Sequence, residues 1–541
     1  MRAMIRLTLG LIFLSLAVGC GDHTKTSKIR NNGFVFCGQG SPSTLNPQQV
    51  DHGITSEILS PQLFDSLLVL NTTSHLPEPN LAQRWQVDES GTRYTFTLRH
   101  DVHFQTTAWF TPTRPLNADD VVFSFRRIID PSHPFHQIGK QHPAYPWFHS
   151  IGFDQLVTQV AALSDDQVQF TLAHPDRTFL STIATSHAVI LSKEYADQLL
   201  ARDAKVQLDS HPVGTGPFYL ADYQANDFIR LKRHPLYWRG AARMEQVVFD
   251  ISHRGTGTLA KLLRQECDVF SNPISSQLPV IERQPDLDLV AKPSINLSFI
   301  AINTSRPVLQ NKQVRKALSF AINRQNILDS VYYGNGEVAH SVLPPNSWAY
   351  QKDRVHLRYN RDYALSLLHN AGYDSELTLT MLVPLKPQIY DPSPRKTAEL
   401  IQANFADIGI KLRLITDEQI HSKTAAQRQP IDLYLTGWSA ATSDPDHFLR
   451  PLLSCHAQHP ELDSALWCHQ DFETLLSRAR ETDQPQSRLE LYKQAQAILN
   501  EEFPIIPLSH GVRFQAKTRS LTGFENSPFG ARPFDHVTRV D

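Results

Sequence analysis

The chain has 541 residues, too many for a single hydrophobic core, so we expect at least two lobes. Hydrophobic residues make up 41 % and charged residues 20 %, which is typical of a globular protein. The formal net charge of −2 provides no basic field, which argues against nucleic acid as a partner. A locally charged cleft remains compatible with this balance.

The first 20 residues, MRAMIRLTLGLIFLSLAVGC, have the order of a bacterial export signal. Two arginines precede an apolar stretch at 7–18, which is too short for a secure membrane span. The small residues before Cys20 resemble a lipoprotein cleavage site. We predict a signal peptide over 1–19 and a lipidated Cys20 with a tether over 20–32, whose acyl chains would hold the soluble body to a membrane. Ordinary cleavage beside an unmodified cysteine is the alternative.

Four further cysteines in an exported chain indicate two disulfides. Cys455 and Cys468 are close in sequence and favour a local pair, which leaves Cys37 with Cys267. The alternative is zinc, because the segment CHAQHPELDSALWCH adds further ligand types at His456, His459 and His469. The spacing is not a standard zinc spacing, so we expect no metal.

In the N-terminal part, strand and turn patterns come first. Trp85 and Val87 lead into the turn DESG, and apolar residues then alternate with polar ones through YTFTL, which predicts a hairpin. Asn117 is a good N-cap for a following helix with Val121, Phe125 and Ile128 on one face. The His- and Pro-rich stretch at 131–150 is interpreted as a solvated loop.

Helical patterns dominate the C-terminal part. We predict a helix over about 311–333, another over 397–408 that passes through Gly409 into an alternating strand, and a third over 488–500. Strands and helices alternate irregularly along the whole chain, which indicates an α/β fold. The change in composition places a boundary near Lys292.

Enzyme motifs are missing. The sequence contains no HExxH, GxSxG or GxxxxGK[ST] motif. MEQVVFDISHRGTGTLAKLLRQ resembles a dinucleotide fingerprint, but a plain strand–turn–helix is the better interpretation. We therefore expect a protein without catalysis or a cofactor. A secreted hydrolase or oxidoreductase, and a ligand-sensing protein or chaperone, remain the alternatives.

Several segments together resemble the periplasmic substrate-binding proteins of peptide ABC transporters, the extracellular solute-binding family 5. In chain order they are LAQRWQVDESGTRYTFTLRHDVHF, LNADDVVFSFRRIIDP, PVGTGPFYL, LKRHPLYW, AINTSRPVLQNKQVRKALSFAINR, AELIQANFADIGIKL and FPIIPL. The resemblance implies a two-lobed binding protein of type II, cluster C, with a central ligand cleft. It also implies the two disulfide pairs given above.

The resemblance further implies the domain limits and the partners. Lobe one would comprise 33–292 with an inserted subdomain, lobe two 293–511, and a tail over 512–541 would return to lobe one. The expected role is a receptor, in the periplasm and monomeric, that delivers its ligand to permease subunits in the inner membrane. Peptides, including antimicrobial peptides, or haem are the candidate ligands.

The segment GWSAATSDPDHF carries the expected ligand site. In dipeptide-binding relatives an aspartate after Gly-Trp pairs with the peptide ammonium, and the matching residue here is Ala441. Lys386 matches the arginine that holds the peptide carboxylate, but a lysine lacks the bidentate fork. The resemblance thus implies weak binding of free dipeptides. The full set of candidate ligand-binding residues is Trp438, Ser439, Ala440, Ala441, Thr442, Lys386, Tyr390, Gly53, Ile54 and Thr55, with core packing as the alternative role of Trp438 and Tyr390.

Overall fold

The computed structural model describes residues 29, 32–38, 40–138, 144–252, 255–351, 357–373, 377–416, 418, 431–455, 467–524 and 526–540. Cys20 and the predicted signal peptide lie outside these residues. The main feature is a large mixed sheet, whose strands are Gly33–Cys37, Phe218–Gln224, Phe228–Arg233, Gln246–Asp250, Val269–Ser271, Leu287–Pro293, Asn296–Ile302, Gly336–Val338, Leu377–Val383, Ile410–Thr416, Leu433–Ser439 and Ile505–Thr518.

One long strand connects the two parts of this sheet. Ile505–Thr518 pairs antiparallel with Asn296–Ile302 along its first part and with Leu287–Pro293 along its second part. The register places Val512 opposite Pro293. The chain therefore crosses twice between the parts of the sheet, at nearly the same level.

Two bodies of apolar packing lie on either side of these crossings. The core of the N-terminal body runs from Phe34 to Val269 and takes Leu521, Phe534 and Val537 from the end of the chain. The cores of the C-terminal body draw on residues from 295 to 508. A separate sheet in the N-terminal body contains Ala82–Val87, Arg93–Leu98, Gln167–Leu172 and Val157–Ser164, in that order.

Short two-stranded sheets and the helices complete the described structure. The short pairs are Leu68–Leu70 with Pro77–Pro79, Leu521–Thr522 with Thr538–Arg539, and Asn526–Ser527 with Gly530–Ala531. The α-helices are Ser60–Leu63, Ala118–Ile129, Pro146–Ser150, Phe153–Leu156, Phe179–Ile183, Lys193–Ala201, Gln207–Ser210, Thr256–Leu263, Leu278–Glu282, Pro307–Gln310, Lys312–Ala321, Arg324–Val331, Arg361–Asn370, Pro394–Ala406, Asp446–Leu453, Gln470–Glu481 and Pro485–Glu502.

The local sequence patterns predict several of these elements correctly. The hairpin at 82–98 is confirmed, and Asn117 caps its helix through a bond from the Asp119 N–H. The helix predicted over 311–333 is wrong as a single element. It is two helices, because Ile322 is extended and Asn323 caps a new start at Arg324.

The stretch at 131–150 is not the solvated loop that its histidines suggest. Phe135, Tyr145, Trp147 and Phe148 are all at most 2 % exposed, and they belong to the N-terminal core. Their apolar area outweighs the polar residues between them. Part of this stretch, residues 139–143, lies outside the described residues.

Both disulfides are confirmed. Cys37 and Cys267 join with their Cα atoms 6.2 Å apart, and Cys455 and Cys468 with theirs 4.5 Å apart. The described residues contain no group of three or more His, Cys, Asp or Glu that could hold a metal. His456 and His459, the ligands considered for zinc, lie outside those residues.

Candidate functional site at the boundary between the two bodies

The segment from Trp438 to Asp446 connects a strand to a helix at the boundary between the two bodies. The strand Leu433–Ser439 pairs with Asn296–Ile302, which places Trp438 opposite Leu297. Trp438 is 5 % exposed, and its Nε1 donates to the carbonyl oxygen of His447 at 2.9 Å. Its ring packs in the C-terminal body. The Trp438 indole therefore holds the segment after the strand against the following helix.

The small residues of this segment have separate environments. Ala440 is buried in the same core as Trp438. The Thr442 hydroxyl lies 2.6 Å from Nδ1 of His447, so it holds the turn. Ser439 Oγ is buried without a hydrogen-bond partner among the described residues. Ala441 differs from all of these, because it packs against the core of the opposite, N-terminal body.

Ala441 lines a pocket that encloses about 770 Å³, including its opening to solvent. Apart from Ala441, its lining comes from the N-terminal body and from the end of the chain. Hydroxyl groups and apolar side chains alternate around it, among them Ser56, Ser60, Phe64, Ser66, Val69, Thr185, Ser186, Ser527 and Phe529. The pocket therefore lies at the boundary, and among the described residues the C-terminal body contributes only the methyl group of Ala441 to its lining.

Charged groups at the polar end of the pocket have protein partners. Asp65 is 7 % exposed and accepts from Thr215 Oγ1 at 3.0 Å and from Trp238 Nε1 at 3.1 Å. Burial raises the pKa of the Asp65 carboxyl, although these donors oppose the shift. The Arg239 guanidinium lies 4.5 Å over the Trp238 ring and bonds to Asn80. Asp65 is held as part of the wall and is poorly suited to bind a ligand ammonium.

The predicted residues Gly53, Ile54 and Thr55 lie just before the pocket wall. Ile54 is buried in the N-terminal core, and the Thr55 hydroxyl donates to the Thr44 carbonyl at 2.6 Å. Gly53 starts the turn with a φ of 100°. Ser56, the next residue, and Ser60 line the pocket from the helical segment that begins at Thr55. The resemblance therefore indicates the correct segment of the chain. The orientation of the helix determines which of its side chains face the pocket.

Tyr390 and Lys386 do not line this pocket. The Tyr390 ring covers Gly437, where a Cβ atom would come within 2.2 Å of the ring. The Tyr332 hydroxyl donates to the Tyr390 carbonyl at 2.5 Å, which fixes this segment. Lys386 is exposed. Among the ten predicted residues, all of which the structure describes, Ala441 alone lines the pocket described above.

Buried charges join the two bodies beside this segment. Arg480 Nε lies 2.6 Å from Asp176 Oδ2 of the N-terminal body, and Arg480 Nη2 donates to Thr178 Oγ1 at 3.3 Å. The same Nε lies 3.6 Å from Asp446 Oδ2. Asp176 and Asp446 are at most 1 % exposed. We call Asp176, Thr178, Asp446 and Arg480 the clasp.

Further pairs hold the C-terminal side of the clasp. Arg450 Nε donates to Asp446 Oδ2 at 2.9 Å, and Arg450 Nη1 donates to Glu473 Oε1 at 3.0 Å. Glu473 also accepts from the backbone N–H of the disulfide residue Cys455 at 2.9 Å. Burial alone would raise the pKa of Asp446, but Arg450 and Arg480 lower it below its usual value. The Asp446 carboxylate is therefore ionised inside the boundary.

His447 also reaches across the boundary. Its Nε2 lies 3.3 Å from Thr182 Oγ1 of the N-terminal body, and its ring meets the Trp147 ring edge-on with centroids 6.0 Å apart. Trp147 stacks in turn on His187 at 4.6 Å. Burial lowers the pKa of His447 from its usual value, which keeps the ring neutral near pH 7.

The clasp was not predicted from the sequence. Arg480 and Thr178 are 302 residues apart, and neither segment carries a motif. The only sequence signal is indirect: Asp446 belongs to the acidic turn that follows the Gly-Trp segment. Pairing it with Asp176 requires the fold.

These features define an extracellular solute-binding protein. The model of the bacterial extracellular solute-binding proteins, family 5 (middle region), matches residues 77–459, and the chain belongs to this family. Its fold is the mixed α/β periplasmic binding protein fold of type II, as the resemblance implied. Among the described residues, no helix is both long and apolar enough to cross a bilayer.

Individual relatives cover almost the whole chain. The peptide transport periplasmic protein SapA of Salmonella typhimurium is 44 % identical over 518 residues, which are 96 % of this chain and 94 % of that protein. The dipeptide-binding protein of Escherichia coli is 33 % identical, over 98 % of each chain. The crystal structure of the dipeptide binding protein from Pseudoalteromonas sp. SM9913 in complex with Met-Leu is 37 % identical, with a TM-score of 0.86, and the match covers 94 % of this chain and 100 % of that one. These relatives are binding proteins and not enzymes.

Proposed function

We propose that this chain is the receptor of a peptide ABC importer, which captures peptides between its two bodies and delivers them to permease subunits. The observation that carries the proposal is the pocket at the boundary, to which the C-terminal body contributes Ala441. A ligand that contacts both bodies favours the closed arrangement, which is how such a receptor signals occupancy. Relatives named for peptide transport and dipeptide binding support this function.

The neutral wall at Ala441 determines the class of peptide. Burying an ammonium group without an acidic partner is unfavourable by several kcal/mol. The nearby acid, Asp65, already accepts bonds from the protein. We therefore propose that free dipeptides bind weakly, and that longer peptides, whose termini lie outside the pocket, bind better. Haem is a second candidate ligand, supported by a 35 % identical heme-binding protein A of Haemophilus influenzae.

The cellular arrangement is part of the same proposal. We infer a monomer in the periplasm, anchored through lipid on Cys20, with lobes over 33–292 and 293–511 and a returning tail over 512–541. The two crossings of the large sheet near Pro293 and Val512 support these limits. Mass measurement of the mature N-terminus, with and without globomycin treatment of the cells, tests the anchor.

Calorimetry with peptides of graded length tests the ligand class. The probes are Met-Leu, the tetrapeptide Ser-Thr-Ser-Ala and a nonapeptide, each titrated into the unfolded, dialysed and refolded chain so that no carried-over ligand interferes. We expect binding of at least one of the two longer probes, with an affinity at least about tenfold above that for Met-Leu. Tighter binding of Met-Leu than of either longer peptide would contradict the proposed length preference. Cleavage of a fluorogenic peptide would favour the hydrolase alternative.

A further inference from the structure

The clasp joins the two bodies through contacts between protein groups. The Arg177 backbone N–H donates to the Arg480 carbonyl at 2.8 Å, and the Arg177 side chain pairs with Asp483. Together with Arg480 bonded to Asp176 and Thr178, these contacts connect the loop after strand Gln167–Leu172 to the end of helix Gln470–Glu481. All of them are contacts of the protein with itself.

Charge, rather than apolar packing, dominates this part of the boundary. A cavity of about 920 Å³, including its opening, lies beside the clasp and is lined mainly by polar residues of both bodies. They include His149, Asp154 and His174 from the N-terminal body and Arg450, Glu473 and Arg480 from the C-terminal body. A few polar contacts therefore stabilise the closed arrangement of the two bodies at this part of the boundary.

Because burying charged groups costs free energy, such contacts stabilise only a closed arrangement in which the charges are correctly paired. If the bodies separated, Asp176 and Arg480 would both be hydrated, and closing would remove that water from them. Their attraction offsets the desolvation only when the remaining bonds are also made. Asp176 meets this condition at Oδ1, which accepts from the N–H and hydroxyl of Thr178 at 2.7 Å each. Its Oδ2 faces Arg480 Nε at 2.6 Å as an ion pair without hydrogen-bond geometry. This ion pair and the Arg480–Thr178 bond form only when the bodies are closed.

We propose that the clasp sets the ratio of open to closed molecules in the ligand-free chain, with Arg480 as the positioning residue. The inference rests on the proposed function only in that closure is the capture step. A ligand shifts this ratio by its differential affinity for the two states. A receptor that already favours one closed register requires fewer ligand contacts, which suits a pocket whose C-terminal wall is the methyl group of Ala441.

Distance measurements between paired spin labels test the proposal on the ligand-free, refolded chain. The labels are placed at Glu89 and Arg413, which are exposed and lie in different bodies. Arg480→Gln leaves the Asp176 carboxylate buried and unpaired in the closed state, so we expect the ratio of open to closed molecules to rise at least about tenfold. Arg478→Gln, on the same helix but exposed, is the matched control and should leave the distances unchanged.

A double variant distinguishes a positioning role of Arg480 from a general loss of structure. Asp176→Asn combined with Arg480→Gln removes both charges, and the amide oxygen introduced by the first substitution can still accept from Thr178. We expect the double variant to recover most of the closed population that Arg480→Gln loses, because coupled groups are not additive. Wild-type circular dichroism and a cooperative urea transition confirm that the variants are folded.

The proposal is overturned if Arg480→Gln gives the wild-type distance distribution, or if the double variant opens as far as the single one. Neither result depends on the identity of the ligand. Failure of the clasp is therefore distinguishable from failure of the peptide-receptor function, which the calorimetry measures.

Discussion

The two sides of the boundary, the pocket and the clasp, differ in how they use charge. At the pocket the C-terminal body contributes the methyl group of Ala441, and the charged groups at the polar end bond to the N-terminal body itself. Five residues further on, Asp446 begins a network of buried ions that connects the bodies. The contrast indicates that the protein aligns its own halves by ion pairs and leaves the ligand chamber nearly free of fixed charge from the C-terminal side.

Among the substitutions considered, Asp446→Asn in the clasp should have the largest effect on the free energy of unfolding. Asp446 is fully buried between Arg450 and Arg480, so its loss leaves two buried guanidinium groups short of a counter-charge. Removing one partner of a buried pair destabilises by about 3–5 kcal/mol, and we expect a decrease of that order in the free energy of unfolding measured with urea. Asp471→Asn, exposed on the adjacent helix, should change it by less than about 1 kcal/mol. Equal effects of the two substitutions would contradict this role.

Asp391, in contrast to Asp446, is a buried carboxyl group that no cation holds among the described residues. Its Oδ1 accepts from the Ser393 N–H and the Thr397 hydroxyl, whereas Oδ2 is without a partner in the described structure. Burial raises the pKa of Asp391 to about 7. Between about pH 4 and 7 the unfolded chain releases this proton while the folded chain keeps it, so this group lowers stability as the pH rises.

We therefore expect Asp391→Asn to be more stable than the wild type at pH 8, by up to about 4 kcal/mol for a shift of roughly three pKa units. The difference should shrink toward zero at pH 4. Buried His187 and His510, whose pKa values burial lowers to about 4, act in the opposite direction but are common to both chains. Urea unfolding across this range measures the difference. A gain that does not depend on pH would show that Asp391 is ionised throughout.

Ala441→Asp should change the affinity of the pocket for free dipeptides. It places a carboxylate on the pocket wall that the C-terminal body provides, where a peptide ammonium can reach it. We expect the affinity for Met-Leu to rise about tenfold, or roughly 1.4 kcal/mol, with little change for the nonapeptide. Ala441→Asn has nearly the same shape and is the matched control. No gain in calorimetry, or the same gain for both variants, would show that the missing charge is not the cause of weak dipeptide binding.

Sequence patterns predicted local elements and the distant Cys37–Cys267 disulfide, but none of the contacts of the clasp. The hairpin at 82–98 and the helix after Asn117 follow from alternation and capping, which are properties of neighbouring residues. The break at Asn323 was missed, because the apolar spacing of a helix continues through it. Trp438 and Tyr390 show the same limit within the site. A bulky ring next to small residues has the same pattern whether it lines a cavity or, as for Trp438, fills a core.

Native mass spectrometry shows directly whether the chain holds a peptide in the chamber beside Ala441. The refolded protein is incubated with an equimolar mixture of peptides of two to nine residues, and Ala441→Trp, which places an indole in the chamber, is treated in parallel. We predict that the wild type retains one peptide longer than two residues and that Ala441→Trp retains none. A wild type that retains no peptide of any length, or equal retention by both proteins, would contradict it.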